Sequence, residues 1–152
     1  MVQVKISENA LAGNLRVKVR FDFPGLTRTG RFFFGGKPSE ELAEENRQQK
    51  ANYWRNIPVQ GICIEEVNAE LPIYFFHDEK TGEAMAYAPL EVTLHADCIE
   101  DIVGFIMRDE FRKIEILAPD HINVSRLDAE RLFFRMNEAM RMAAGERVKK
   151  AR

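Results

Sequence analysis

Apolar and polar residues alternate without interruption over positions 15–23. The apolar residues take one parity, and the other parity is charged: Arg16, Lys18, Arg20 and Asp22. A period of two with β-branched and aromatic residues is typical of a strand with one buried face. The pattern predicts a strand that contacts the core through one face and presents a basic row, defined as Arg16, Lys18 and Arg20, on the other.

A hairpin is predicted further along the chain. Two strand-like runs flank a turn in which Gly82 occupies the position that needs a positive φ. The second run extends to about residue 95, and Pro89 interrupts it with a residue that cannot donate to a ladder. An earlier strand near 57–66 carries apolar residues on both faces, which predicts a central place in the sheet.

The region after the hairpin has the pattern of a βαβ unit. Ile99, Ile102, Val103 and Ile106 follow the i, i+3, i+4, i+7 spacing of a helix. Asp97 is the predicted N-cap of this helix, with Glu100 in the capping-box position. A strand at 113–117 follows, so the unit predicts two parallel strands joined by a helix.

Two other helices are indicated. A polar helix covers about 39–54, and a long final helix opens at Ser125, with Asp128 as its capping-box partner. The apolar stripe of the final helix is predicted to consist of Leu132, Phe133, Met136, Met140 and Ala143. The basic tail at about 146–152 is expected to fray.

Together these elements predict one α+β domain over residues 1–152. Its sheet is mixed and largely antiparallel with β-hairpins, one ferredoxin-like βαβ half lies at about 90–117, and a long C-terminal helix closes the chain. A length of 152 residues fits one domain, and 45% hydrophobic residues are enough for a core.

Charge and hydropathy exclude some classes of partner. The net charge of −2 gives no overall attraction to nucleic acid or to an anionic membrane. The chain has no apolar run of membrane-spanning length and no signal-like N-terminus. We therefore expect a cytoplasmic protein that does not bind membranes.

The segment RFFFGGKPSEEL at 31–42 has the layout of a phosphate-binding loop, with a strand, two glycines and a helix start. Backbone N–H groups at a helix N-terminus attract anions. Here Glu40 and Glu41 already occupy the positive end of the dipole and would repel a phosphate. The sequence predicts a plain turn, with Pro38 at the helix start.

Nucleic-acid binding is the alternative suggested by the first 37 residues, where basic side chains outnumber acidic ones. Arg16, Lys18, Arg20, Arg28 and Arg31 are the candidate phosphate contacts. The acidic helix that follows carries like charges at i,i+4, which a basic neighbour would relieve. We therefore expect the basic row to be neutralised in part by that helix.

A thiol-dependent enzyme is a third hypothesis. Cys98 stands near a helix start, where the dipole lowers a thiol pKa, and His95 is a nearby base. The negative charge of Asp97 acts against this activation. The remaining soft ligands, Cys63, His77 and His121, are scattered, so we predict no metal site and no cofactor.

An aromatic patch on the hairpin supports the leading hypothesis. Tyr74 and Phe76 on one strand share a face with Met85 and Tyr87 on the other, and these four residues define the hairpin patch. The opposite side, including Phe75, is the predicted core face. Phe134 and Met142 also lie off the stripe of the last helix. An apolar surface of this kind predicts a non-enzymatic binding or assembly module that self-associates or binds a protein partner.

Overall fold

The computed structural model describes residues 14–26, 38–80 and 82–151, and it describes no side chain beyond Gly145. Within these ranges the elements follow in the order β1 (Leu15–Pro24), α1 (Ser39–Asn56), β2 (Ile62–Asn68), β3 (Tyr74–His77), β4 (Ala84–Ala96), α2 (Ile99–Ile106), β5 (Phe111–Ala118) and α3 (Arg126–Ala151). The predicted α+β fold is confirmed. Arg28, Arg31 and the glycine pair at 35–36 lie outside the described residues.

The strands form one antiparallel sheet in the order β2-β4-β1-β5, and β3 pairs with β4 beyond the end of β2. The predicted hairpin is β3 and β4, and Gly82 has a φ of 71° in its turn. The ladder between β1 and β4 runs past Pro89 without a register shift. Because β2 and β3 pair with different parts of β4, the Pro89 position falls between them.

The predicted βαβ unit is also confirmed. Strands β4 and β5 both pair antiparallel with β1, so they run parallel to each other with β1 between them. Helix α2 connects them. The strand between the two parallel strands makes this the split arrangement of a ferredoxin-like half.

Helices α1 and α2 pack on one face of the sheet. Phe21 of β1 lies 4.9 Å from Trp54 of α1 and 5.6 Å from Phe105 of α2, measured between ring centroids. Fully buried residues from the same face of β1 and β4 complete the core: Val17, Val19, Leu90, Val92 and Leu94. Each such side chain contributes about 1.5–3 kcal/mol of transfer free energy.

The predicted central position of the strand near 57–66 is wrong. Strand β2 begins at Ile62 and lies at an edge of the sheet. A register shift between Ile64 and Glu66 changes the parity of the strand. Ile62, Ile64 and Val67 therefore all pack against the core although their spacing is not strictly alternate.

The start of α3 confirms the predicted capping box. The Asp128 amide donates to the Ser125 hydroxyl at 3.1 Å, and the Ser125 amide donates to the Asp128 carboxylate at 3.3 Å. The helix is continuous through Gly145 to Ala151, and fraying of the basic tail stays a prediction. Among the described helices, none is both long and apolar enough to cross a membrane.

Helix α3 packs against α2, and Arg135 of α3 contacts Gly104 of α2. Ala139 is buried, and the Arg135 guanidinium lies against Gly104, where a Cβ atom would stand 2.3 Å from Arg135 Nη2. The predicted stripe is therefore only partly correct. Leu132 and Ala143 are half-buried, whereas Phe133, Met136 and Met140 are exposed.

Candidate functional site

The face of the sheet opposite α1 and α2 carries both surfaces that the sequence singled out. In the ladder between β1 and β4, Arg16 pairs with His95 and Pro24 pairs with Tyr87. Directly opposed residues of an antiparallel pair share a face. The basic row and the hairpin patch are thus parts of one surface, which we call the second face. Alternation along the chain does not specify the register between strands, so the two surfaces are predicted separately from the sequence.

Each cation of the basic row has a carboxylate partner on the second face. Arg16 donates to Glu65 through Nε and Nη2, both at 2.9 Å. Lys18 lies 3.9 Å from Glu91, and Arg20 Nε donates to Asp22 at 2.9 Å. The hydrogen bond from Arg16 holds the pKa of Glu65 below its ordinary value. The row is therefore largely neutralised at its own surface.

The expectation that the acidic helix supplies this neutralisation is wrong. Helix α1 packs on the core face, on the other side of the sheet from the basic row. Glu44 of α1 instead pairs with Arg47, which is buried and donates to the carbonyl groups of Leu71 and Pro89. Arg47 thus links the segment between β2 and β3 to β4. Its partner Glu44 is one of the helix carboxylates that were expected to pair with the basic row.

The hairpin patch forms as the sequence predicted. Tyr74 pairs with Tyr87 and Phe76 pairs with Met85 across the ladder. The two tyrosine rings are stacked with their centroids 5.4 Å apart, and Arg112 lies 5.7 Å above the Tyr87 ring. Met85 and Tyr87 are half-buried, whereas Phe76 is 60% exposed. Phe75, predicted for the core face, is also exposed.

Asp22 joins the basic row to the hairpin patch. Its carboxylate is buried and accepts a 2.5 Å hydrogen bond from the Tyr74 hydroxyl. Burial, together with this bond, raises the pKa of Tyr74. Arg112 Nε lies 3.7 Å from the same carboxylate. A register shift in β5 brings Arg112 onto this face, and no feature of the sequence indicated it.

Cys98 does not have the environment of a nucleophile. It is itself the N-cap of α2, so the predicted capping role of Asp97 is wrong. The Cys98 thiol donates to Asp101 Oδ2 at 3.0 Å. Burial and this bond raise the pKa of Cys98 to about 11, so the thiol keeps its proton at neutral pH.

The predicted partner of Cys98 lies on another surface. His95 Nε2 is 3.1 Å from Glu65 Oε2 on the second face. The cysteine that stands opposite His95 in the ladder is Cys63, which is exposed. In the described parts of the chain, no group of three or more His, Cys, Asp or Glu residues is arranged to hold a metal ion.

Helix α3 carries the larger apolar surface. Its 26 residues span about 39 Å, whereas the 8 residues of α2 span about 12 Å and cover only part of it. Phe133 is 67% exposed and Met140 is 62% exposed, and Met136 lies between them. We call these three residues the α3 row. Other exposed apolar residues of α3 lie off this row, on other sides of the helix: Leu127, Phe134 and Met142.

Comparison with known proteins adds no functional information. No protein-family model, no curated protein and no solved structure matches the chain.

Proposed function

We propose that the protein is a non-enzymatic assembly module that self-associates through α3. The observation that carries this proposal is the α3 row. Phe133, Met136 and Met140 follow the i, i+3, i+7 spacing of one helix face and remain exposed beside the contact with α2. Soluble monomers rarely leave large contiguous apolar surfaces in water.

The free energy available from this surface is of the same order as the cost of association. Complete burial of a Phe or Met side chain contributes about 1.5–3 kcal/mol. A symmetric pair buries the α3 row of both copies, which is six side chains in total. The total is comparable with the roughly 4–15 kcal/mol that association costs in lost translational and rotational freedom.

The hairpin patch is the second contact surface in this proposal, suited to another protein partner. Phe76 is its most exposed member, at 60%, and Tyr74 is 36% exposed. The hydroxyl of Tyr74 already has a partner in Asp22, and Tyr74 and Tyr87 are stacked on each other. Because these groups already have partners within the chain, the hairpin patch gains less binding free energy from a protein partner than the α3 row does.

Nucleic-acid binding remains the alternative function. Its support is that Arg16, Lys18 and Arg20 share a face with the tyrosine pair, as in a stacking platform for single strands. The ion pairs to Glu65, Glu91 and Asp22 weigh against it, because phosphate contacts would have to replace them.

A thiol enzyme using Cys98 is disfavoured by the raised pKa of that thiol. We also propose that the protein is located in the cytoplasm.

Light scattering during size-exclusion chromatography tests the proposal with two matched variants. Phe133→Glu places a charge in the α3 row, and Phe76→Glu makes the same change in the hairpin patch. Both side chains are mostly exposed, so neither change disrupts the core. Circular dichroism confirms that each variant is folded.

We expect the wild type to have at least twice the 17.6 kDa mass of one chain. Phe133→Glu is expected to return the protein to one chain, whereas Phe76→Glu leaves the mass unchanged. A wild type that stays monomeric at high concentration would overturn the proposal. So would an assembly that Phe76→Glu dissociates and Phe133→Glu does not.

A further inference from the structure

The charges beside the α3 row are arranged for one particular self-pairing. Arg141 follows Glu130 by 11 positions, which is about three helical turns. They therefore lie on the same flank of the helix, about 100° around the helix axis from the α3 row, and the exposed Phe134 lies on that flank as well. Both are exposed, and within the described residues neither has an ion pair in its own chain.

The positions of these residues along the helix are consistent with a two-fold axis. The midpoint of Phe133 and Met140 is at 136.5, and the midpoint of Glu130 and Arg141 is at 135.5. The two midpoints differ by one residue, or about 1.5 Å of helical rise. A single two-fold axis near Met136 therefore places Phe133 against Met140 of a second copy. The same axis also brings Glu130 close to Arg141 of that copy.

The relative direction of the two paired helices follows from the position of Glu130 and Arg141 on the same flank of α3. In an antiparallel pair with two-fold symmetry, the same flank of both helices meets along one side of the seam. Glu130 of one copy then faces Arg141 of the other, and symmetry repeats the contact. In a parallel pair, the same flanks lie on opposite sides of the seam, so these two residues do not meet.

We infer that the occupant of the α3 row is a second copy of this chain, bound antiparallel, with Glu130 of each copy paired to Arg141 of the other. The inference rests on the proposed self-association and adds its geometry. Apolar contacts supply affinity, whereas the paired charges fix direction and register. The seam also lies away from the flank through which Arg135 contacts Gly104 of α2, so association does not disturb the fold.

Charge reversal tests the geometry in the full chain. Glu130→Arg and Arg141→Glu each place like charges together twice in the dimer, and the double variant restores opposite charges. Each single change is expected to raise the dissociation constant about three- to thirtyfold at low salt, with recovery in the double variant. Glu138→Arg is the control, because Glu138 is exposed on the same helix and pairs with Arg135 of its own chain at 3.6 Å.

The outcomes separate this inference from the proposed function. Recovery in the double variant, with no effect from Glu138→Arg and loss of the differences at 1 M salt, supports the antiparallel pairing. If Phe133→Glu dissociates the assembly while both single reversals leave its dissociation constant unchanged, the geometry is wrong and the self-association stands. If Phe133→Glu has no effect on the mass, both are overturned.

Discussion

The Tyr74 hydroxyl donates a 2.5 Å hydrogen bond to the carboxylate of Asp22, which lies 52 positions earlier in the chain. Asp22 is buried on the face of β1 that is otherwise charged, and Tyr74 belongs to the edge strand β3. Strand β3 pairs only with β4 among the described strands. This bond therefore connects the hairpin directly to β1, across the intervening strand.

Replacing Tyr74 with Phe is expected to destabilise the protein by about 1.5–3 kcal/mol, because the bond is made to a buried charged group. Urea unfolding measures the change. Tyr87→Phe is the matched control, since it keeps the ring stack and its hydroxyl has no hydrogen bond within the described ranges. Equal stabilities for the two variants would contradict a structural role for the Tyr74–Asp22 bond.

Cys98 is expected to react with iodoacetamide at pH 8 far more slowly than Cys63, because its pKa is raised to about 11. Single Cys→Ser variants isolate the two thiols. Asp101→Asn removes the charge that the thiol faces and is expected to lower the pKa and raise the rate. A Cys98 rate equal to that of free cysteine would restore the enzymatic hypothesis.

The raised pKa of Cys98 also gives a dependence of stability on pH. The folded state favours the protonated thiol, so its contribution is complete below the ordinary pKa of 9.0 and is lost as pH rises through about 11. Comparison of the wild type with Cys98→Ser isolates this contribution from other groups that titrate at alkaline pH. A stability difference that stays constant from pH 8 to pH 11 would contradict the assignment.

Glu65 is expected to show the opposite dependence. Its pKa is lowered by Arg16, so its contribution is complete above the ordinary value of 4.5 and is lost as pH falls through the lowered pKa. The stability difference between wild type and Glu65→Gln should therefore shrink as the pH is lowered from 6 to 3. Glu66→Gln is the control at a neighbouring exposed carboxylate, and an identical pH profile for both variants would count against the Arg16–Glu65 pair.

Gly61→Ala is expected to destabilise the protein more than Gly82→Ala. Both glycines have positive φ, 75° and 71°, which costs an alanine about 1–2 kcal/mol. At Gly61 the added Cβ would also stand 2.3 Å from Asp101 Oδ2, whereas at Gly82 no atom of the described residues lies within 4 Å of it. Thermal unfolding compares the two variants. Equal melting temperatures would show that the Asp101 side chain moves away from the added Cβ without a loss of stability.

The parts of the fold that the sequence predicted are those set by local patterns. The alternation along β1, the glycine turn of the hairpin and the Ser125–Asp128 box each depend on residues that are neighbours in the chain. The relative order of strands depends on pairing between distant segments, and alternation alone does not specify it. For this reason β2 was predicted to be central although it lies at an edge.

The candidate surfaces show the same limit. An apolar stripe identifies the side of a helix that avoids water, but not the element that covers it. Helix α2 ends after 8 residues and contacts α3 on the flank that carries Arg135, so Phe133 and Met140 stay exposed. The carboxylates that neutralise the basic row also come from distant strands, as Glu65 does for Arg16.

Hydroxyl-radical footprinting of the full chain over a range of concentrations tests the central claim most directly. If α3 is the surface of self-association, oxidation of Phe133, Met136 and Met140 falls as concentration rises, while that of the exposed Phe76 and Met107 stays constant. Oxidation of the three α3 residues that is independent of concentration, from dilute to millimolar protein, would contradict the account.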